Sequence, residues 1–108
     1  ERDLILDAFA HAQTSGVLFV SGDQHWFAAH VHRHGIREFQ IGPTATRLFA
    51  PPPAEPGVLH RALERNFGLI DVGSRGLRFR AIGPRGTLYD ETFTPDGLQI
   101  QDPTGFAM

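Results

Sequence analysis

The pentapeptide Ser21-Gly22-Asp23-Gln24-His25 sets a carboxylate and an imidazole two residues apart, directly after the apolar run Val17-Leu18-Phe19-Val20. Three more histidines follow at His30, His32 and His34. The chain contains no cysteine, so any metal it binds takes His, carboxylate and backbone or water oxygen ligands. An Asp oxygen and a neutral His nitrogen in a tight turn can converge on one ion or on two adjacent ions, and Gly22 lets the backbone turn sharply enough to allow it. The end of an apolar strand is also where α/β folds hold ligands. On spacing alone, however, Gly-Asp is more often a plain turn, with Asp23 closing an Asx-turn and His25 starting the next strand half-exposed.

The other three histidines alternate along an extended stretch, which puts their side chains on one face about 7 Å apart, close enough for two to chelate a metal. The opposite parity carries Phe27, Ala29 and Val31, the expected core side. His30, His32 and His34 are therefore expected to line the solvated face of a hairpin near its tip, with adventitious metal binding or a pH-sensitive surface as the alternatives. Trp26 shares their parity and reads equally well as a pocket wall or a packing partner.

The elements that must position these groups follow from periodicity. Leu4, Ile5, Ala8, Phe9 and Ala12 recur at helical spacing, with Asp3 near the start and Ser15-Gly16 as a stop, and predict an amphipathic helix of about three turns. Val17 to Val20 is too short and too β-prone for a helix; it reads as a strand buried on both faces. Residues 26–41 alternate with a break at His34-Gly35 and predict a hairpin turning there. Residues 42–57 hold five of the eight prolines and must be a surface loop. A short, weakly signalled helix fits residues 59–64. Strands at 67–72, 77–82 and 87–93, separated by Gly73-Ser74-Arg75-Gly76 and Gly83-Pro84-Arg85-Gly86, predict an antiparallel meander. The residues from Asp96 onward read as a frayed tail.

Composition narrows the function classes. The chain has 108 residues, 41% hydrophobic and 20% charged, enough for one modest core that buries roughly two-thirds of the unfolded surface. A formal net charge of -2 supplies no electrostatic footprint for nucleic acid or an anionic membrane, and no stretch reaches the ~18 apolar residues of a spanning helix. The sole methionine is Met108, and Glu1-Arg2-Asp3 starts inside helix-forming sequence with no signal-peptide pattern, so the chain is expected to be a piece of a longer protein.

These residues carry a family resemblance. The helix beginning Glu1-Arg2-Asp3-Leu4 and leading into Gly16-Val17-Leu18-Phe19-Val20-Ser21-Gly22-Asp23-Gln24-His25 resembles the C-terminal part of the alkaline phosphatase D-like branch of the calcineurin-like metallophosphoesterases. There, a strand followed by Ser-Gly-Asp-x-His is the last metal-site motif. Downstream, Arg37-Glu38-Phe39-Gln40-Ile41-Gly42-Pro43-Thr44 is similar to a Glu-Phe/Leu-Thr-Ser segment of that family, and Arg65-Asn66-Phe67-Gly68-Leu69-Ile70-Asp71-Val72 to its Asn-Phe/Tyr-Gly strand. The last hairpin, around Gly86-Thr87-Leu88-Tyr89, matches as well.

The resemblance covers nearly the whole chain. It implies that His25 is the closing metal-ligand histidine and Asp23 the acidic ligand position beside it, and that Thr44 and Thr46 pass near the active-site cleft, although a simple turn role suits both threonines equally. The three strand histidines match no family motif. The implied fold is α+β: an N-terminal helix and buried strand, then a mostly antiparallel sheet, the C-terminal part of a metallophosphoesterase β-sandwich. The implied domain is a single fragment, residues 1–108, of a larger unit.

The implied activity is hydrolysis of phosphoesters, as a phosphatase or phosphodiesterase, by a metal-activated water. The ions would be iron with calcium, zinc or manganese, two of them roughly 4 Å apart. The family's earlier metal motifs are absent from this sequence, and no Gly-Asp occurs besides Gly22-Asp23. Ligands from outside the chain would have to complete the centre, so the fragment alone is expected to be inactive, with no catalytic residue of its own. The alternative is a non-catalytic β-rich interaction or dimerisation module. Expected partners are a phosphoester substrate in the parent protein and another copy of the chain, met through exposed sheet edges. Neither nucleic acid nor membrane is expected. Members of the family are often exported in bacteria; the compartment of this chain is not encoded in these residues.

Overall fold

The computed structural model describes residues 1–14 and 16–95. Its elements are one helix, α1 (Arg2–His11), and seven strands: β1 (Leu18–Ser21), β2 (Phe27–Val31), β3 (Arg37–Gln40), β4 (Val58–Ala62), β5 (Phe67–Gly73), β6 (Gly76–Gly83) and β7 (Gly86–Phe93). Four strands form one sheet in the order β1-β3-β2-β4, and three form a second in the order β5-β6-β7. Only the β1–β3 pairing is parallel. The chain is thus α+β with two mostly antiparallel sheets.

The sheets meet through rings. Phe27 and Ala29 on β2 and Phe39 on β3 share one face, as the alternation anticipates, and bury against Phe79 and Ala81 of β6 and Phe93 of β7. Phe39 and Phe79 lie parallel with centroids 3.9 Å apart, and Phe27 sits 6.2 Å from Phe79. Each buried Phe side chain contributes roughly 2–3 kcal/mol by leaving water, so this cluster is the main adhesive between the layers. At its rim, Arg37 of β3 donates to Glu91 of β7 at 3.2 Å.

The meander of the second sheet closes with glycines where the expected turns fall. Gly73 pairs with Gly76 and Gly83 with Gly86. Gly76 is obligatory for space as well as for its φ of +134°, because an added Cβ would sit 1.9 Å from the Phe93 carbonyl oxygen.

Several expectations are corrected. Residues 58–62 form a strand, β4, where the residues 59–64 suggested a short helix; Leu59 and His60 are exposed, and pairing with β2 outweighs a helical propensity that nothing packs against. The helix buries Leu6 and Ala10 instead of the stripe through Leu4, Ile5 and Ala8, and Leu4 is 74% exposed. The first strand is not buried on both faces. It is an edge strand with β3 as its partner, and Val20 is 47% exposed. Of the helix stop, Ser15 lies outside the described residues, while Gly16 follows the end of α1 with a positive φ of +75°. The tail expected from Asp96 also lies outside them.

Candidate functional site

β1 and β3 run parallel, so the turn at residues 22–26 and the loop at residues 41–49 leave the sheet at the same end. The pairing continues one step past β3, with Ile41 N–H donating to the Ser21 carbonyl at 2.8 Å. A crevice outside the carboxyl ends of parallel strands is the usual ligand position in such sheets. Asp23 and His25 both stand in that turn.

Both residues hold left-handed backbone conformations, φ 76° for Asp23 and 70° for His25. Each costs on the order of 1 kcal/mol or more and persists only where the surroundings enforce it. For His25 the enforcement comes from the neighbouring loop. Its Nδ1 donates to the Arg47 carbonyl oxygen at 2.5 Å, its ring stacks on Phe49 at 4.4 Å, and its own carbonyl accepts from Phe49 N–H at 3.3 Å. The Arg47 guanidinium lies 5.2 Å over the other partner in the stack, the Phe49 ring.

The bond to Arg47 decides the chemistry of the imidazole. A carbonyl oxygen can only accept, so Nδ1 carries the proton and Nε2 of the neutral ring presents a lone pair. A backbone carbonyl orienting one ring nitrogen while the other ligates is the common outer-shell arrangement of metal-binding histidines. Asp23 is exposed, and no hydrogen bond or ion pair among the described residues engages its carboxylate. The donor set therefore suits iron, zinc or manganese in kind, whereas calcium would draw on the carboxylate alone. It is short in number: among the described residues no three His, Asp or Glu side chains are grouped to hold an ion.

Thr44 and Thr46 are exposed in the loop that holds His25, and Thr46 uses its backbone carbonyl to accept from Arg65 Nε at 3.0 Å. The loop is fixed at its root by buried Asn66. That amide accepts from Gly42 N–H at 2.9 Å and donates to the Gly42 carbonyl at 3.1 Å, while Asn66 N–H donates to the Pro43 carbonyl at 2.8 Å. Arg47, Phe49 and Asn66 were not legible as site residues from spacing. The signal that could have found them is the parallel pairing of β1 with β3, which forces the segment after β3 to lie beside the Asp23 turn.

His30, His32 and His34 do not form a solvated face. His30 and His32 stack at 5.7 Å, and His32 Nε2 donates to Glu38 Oε1 at 2.6 Å. Burial holds His30 below its ordinary value. His34 sits in a single 3-10 turn, Arg33–Gly35, with φ 67°, and is 2% exposed. The turn breaks the strand alternation, which swings His34 out of line with the other two and under α1. His30, His32 and Trp26 line a cleft of about 440 Å³ beside the proline-rich loop. Arg2, Arg33 and Arg61 line it together with Asp3, Glu38 and Glu55, so its charges balance and select no ion. Trp26 is thus a pocket wall.

Comparisons with models of protein families, with curated proteins and with solved structures each found no match.

Proposed function

We propose that this chain is the C-terminal, β-rich part of a metal-dependent phosphatase or phosphodiesterase of the alkaline phosphatase D-like, calcineurin-like kind, and that it supplies Asp23 and His25 as metal ligands. The observation that supports the reading is the Nδ1 bond from His25 to the Arg47 carbonyl at 2.5 Å, which leaves the Nε2 lone pair available at the end of a parallel strand. The motif Ser21-Gly22-Asp23-Gln24-His25 and the resemblance of its downstream segments support phosphoester hydrolysis as the reaction class.

Bound iron, calcium, zinc or manganese ions would lower the pKa of a water and neutralise charge on the phosphoryl oxygens. The chain's own residues orient the imidazole, hold its proton on Nδ1 and offer an unengaged carboxylate. One imidazole and one carboxylate make a weak site, so the isolated chain binds metal loosely and hydrolyses nothing.

Metal titration of the wild type, His25→Ala and Asp23→Asn tests this reading, with zinc and iron(II) as separate probes. Each substitution is expected to weaken binding at least tenfold, whereas unchanged stoichiometric binding in His25→Ala would remove His25 as a ligand. In a parent protein, an upstream sequence without aspartate and Asn-His metal motifs would sink the enzyme reading.

A second reading, a non-catalytic module that associates with copies of itself, is favoured by one observation. Strand β1, Leu-Phe-Val-Ser, stands at the sheet edge without a charge or a proline to guard it, and its Val20 is exposed.

A further inference from the structure

Ser21 is both the last residue of β1 and the root of the turn that carries Asp23 and His25. Its hydroxyl donates to Glu38 Oε2 at 2.5 Å, and the other carboxylate oxygen accepts from His32 at 2.6 Å. Glu38 stands in the middle of this outer sheet face, opposite Phe19 of β1 on one side and His30 of β2 on the other. The hydrogen bond from His32, helped by Ser21 and opposed by burial, holds its carboxyl group at about 2. A carboxylate that acidic is a poor base, so the chain of bonds does not activate the Ser21 hydroxyl as a nucleophile. It can anchor.

An anchor is needed at this place. The turn keeps two residues other than glycine at positive φ, and such conformations persist only where the structure fixes them from both ends. The Arg47 carbonyl and the Phe49 ring fix the far end, at His25. At the near end stands a four-residue edge strand, whose last backbone link is Ile41 N–H to the Ser21 carbonyl. Among the described residues, the side-chain tether there is Ser21 to Glu38.

We propose that Glu38 is a positioning residue for the Asp23 and His25 turn, acting through the Ser21 hydroxyl to fix the strand end from which the turn departs. Its consequence for metal affinity rests on the reading of Asp23 and His25 as ligands, whereas the positioning itself can be read without metal.

The experiment is NMR on the 108-residue chain with labelled histidine, comparing wild type, Ser21→Ala, Ser21→Thr and Glu38→Ala. Without metal, the readout is the contact between the stacked His25 and Phe49 rings. With zinc alone as the probe, it is the affinity at the His25 resonances. Ser21→Ala and Glu38→Ala are expected to lose the ring contact and to bind zinc at least fivefold more weakly, while the Phe9 to Phe19 contact between α1 and β1 persists. Ser21→Thr, which keeps the hydroxyl, is expected to restore both to within twofold of wild type. A Ser21→Ala chain that keeps the ring contact, or a Ser21→Thr chain that fails to restore it, overturns the proposal. A folded Glu38→Ala chain that keeps the ring contact overturns it as well, and should that variant fail to fold, the two Ser21 variants, which differ by the hydroxyl, decide. If wild-type His25 does not respond to zinc, the ligand reading fails, and the ring contact still decides the positioning.

Discussion

His34 and Asp7 meet across 2.7 Å, the imidazole Nε2 donating to the carboxylate, while Arg33 donates to both oxygens of the same group at 3.1 and 2.9 Å. Hydrogen bonds from His34 and Arg33, in that order, hold the Asp7 carboxyl below its ordinary value. This cluster clamps α1 onto the turn between β2 and β3. His34→Ala opens a buried space and strips Asp7 of a donor, for an expected loss of about 2–3 kcal/mol. Urea unfolding measures the loss, and a shift below about 0.5 kcal/mol would show that the clamp is incidental.

Asn66 closes the loop that carries Arg47 and Phe49, with its amide satisfying both backbone groups of Gly42. Asn66→Ala leaves those groups unpaired in a buried place, which costs on the order of 2 kcal/mol. The loop at residues 42–49 is expected to loosen with it. Faster amide exchange at Phe49, with protection retained in β6, is the measurement that checks this.

Acid should weaken the fold in two stages. Burial lowers the pKa of His30 from 6.5, so the folded state resists the proton that the unfolded chain accepts, and stability falls as pH drops below 6.5. Glu38 is depressed from 4.5 to about 2, so its contribution is complete above 4.5 and is lost between those two values. Urea midpoints collected from pH 8 to pH 3 should therefore be flat above 7, then decline, then decline again. Glu38→Gln is expected to flatten the lower stage in part, because Asp7 and Asp90 are depressed as well. An unchanged lower stage in that variant would contradict the assignment.

The open edge at β1 predicts self-association. β1 pairs on one side only, with β3, and Val20 on it is 47% exposed. A second copy can add a strand to this edge. Sedimentation should show mass rising with concentration, and Val20→Lys should shift the chain towards monomer, because a charge on an edge strand opposes pairing. A wild-type chain that stays monomeric at all concentrations would count against it.

The parts of the fold that were legible share one property: local pattern and burial agreed. In β2 the alternation of Phe27, Ala29 and Val31 named the core face, and in the meander the glycine-bearing turns named the hairpins. Where a residue's fate depended on a distant element, the local pattern failed. His34 has the spacing of a strand residue, yet Asp7 on α1 and the 3-10 turn take it into the interior. Residues 59–64 fit a short helix until the open edge of β2 recruits residues 58–62 as a strand. Leu4 and Ile5 have helical spacing, but the sheet offers α1 only the narrow stripe that Leu6 and Ala10 fill.

The sequence by itself determined which chemistry is available: a carboxylate and an imidazole after a strand, no thiol, and a glycine that permits the turn. Tertiary structure decided how that chemistry is held. Parallel pairing of β1 with β3 brings the Arg47 carbonyl to His25 and Glu38 to Ser21, and no local spacing encodes either contact. The physical reason is that a tautomer and a left-handed turn are fixed by partners distant in the chain, and those partners exist only once the sheet has formed.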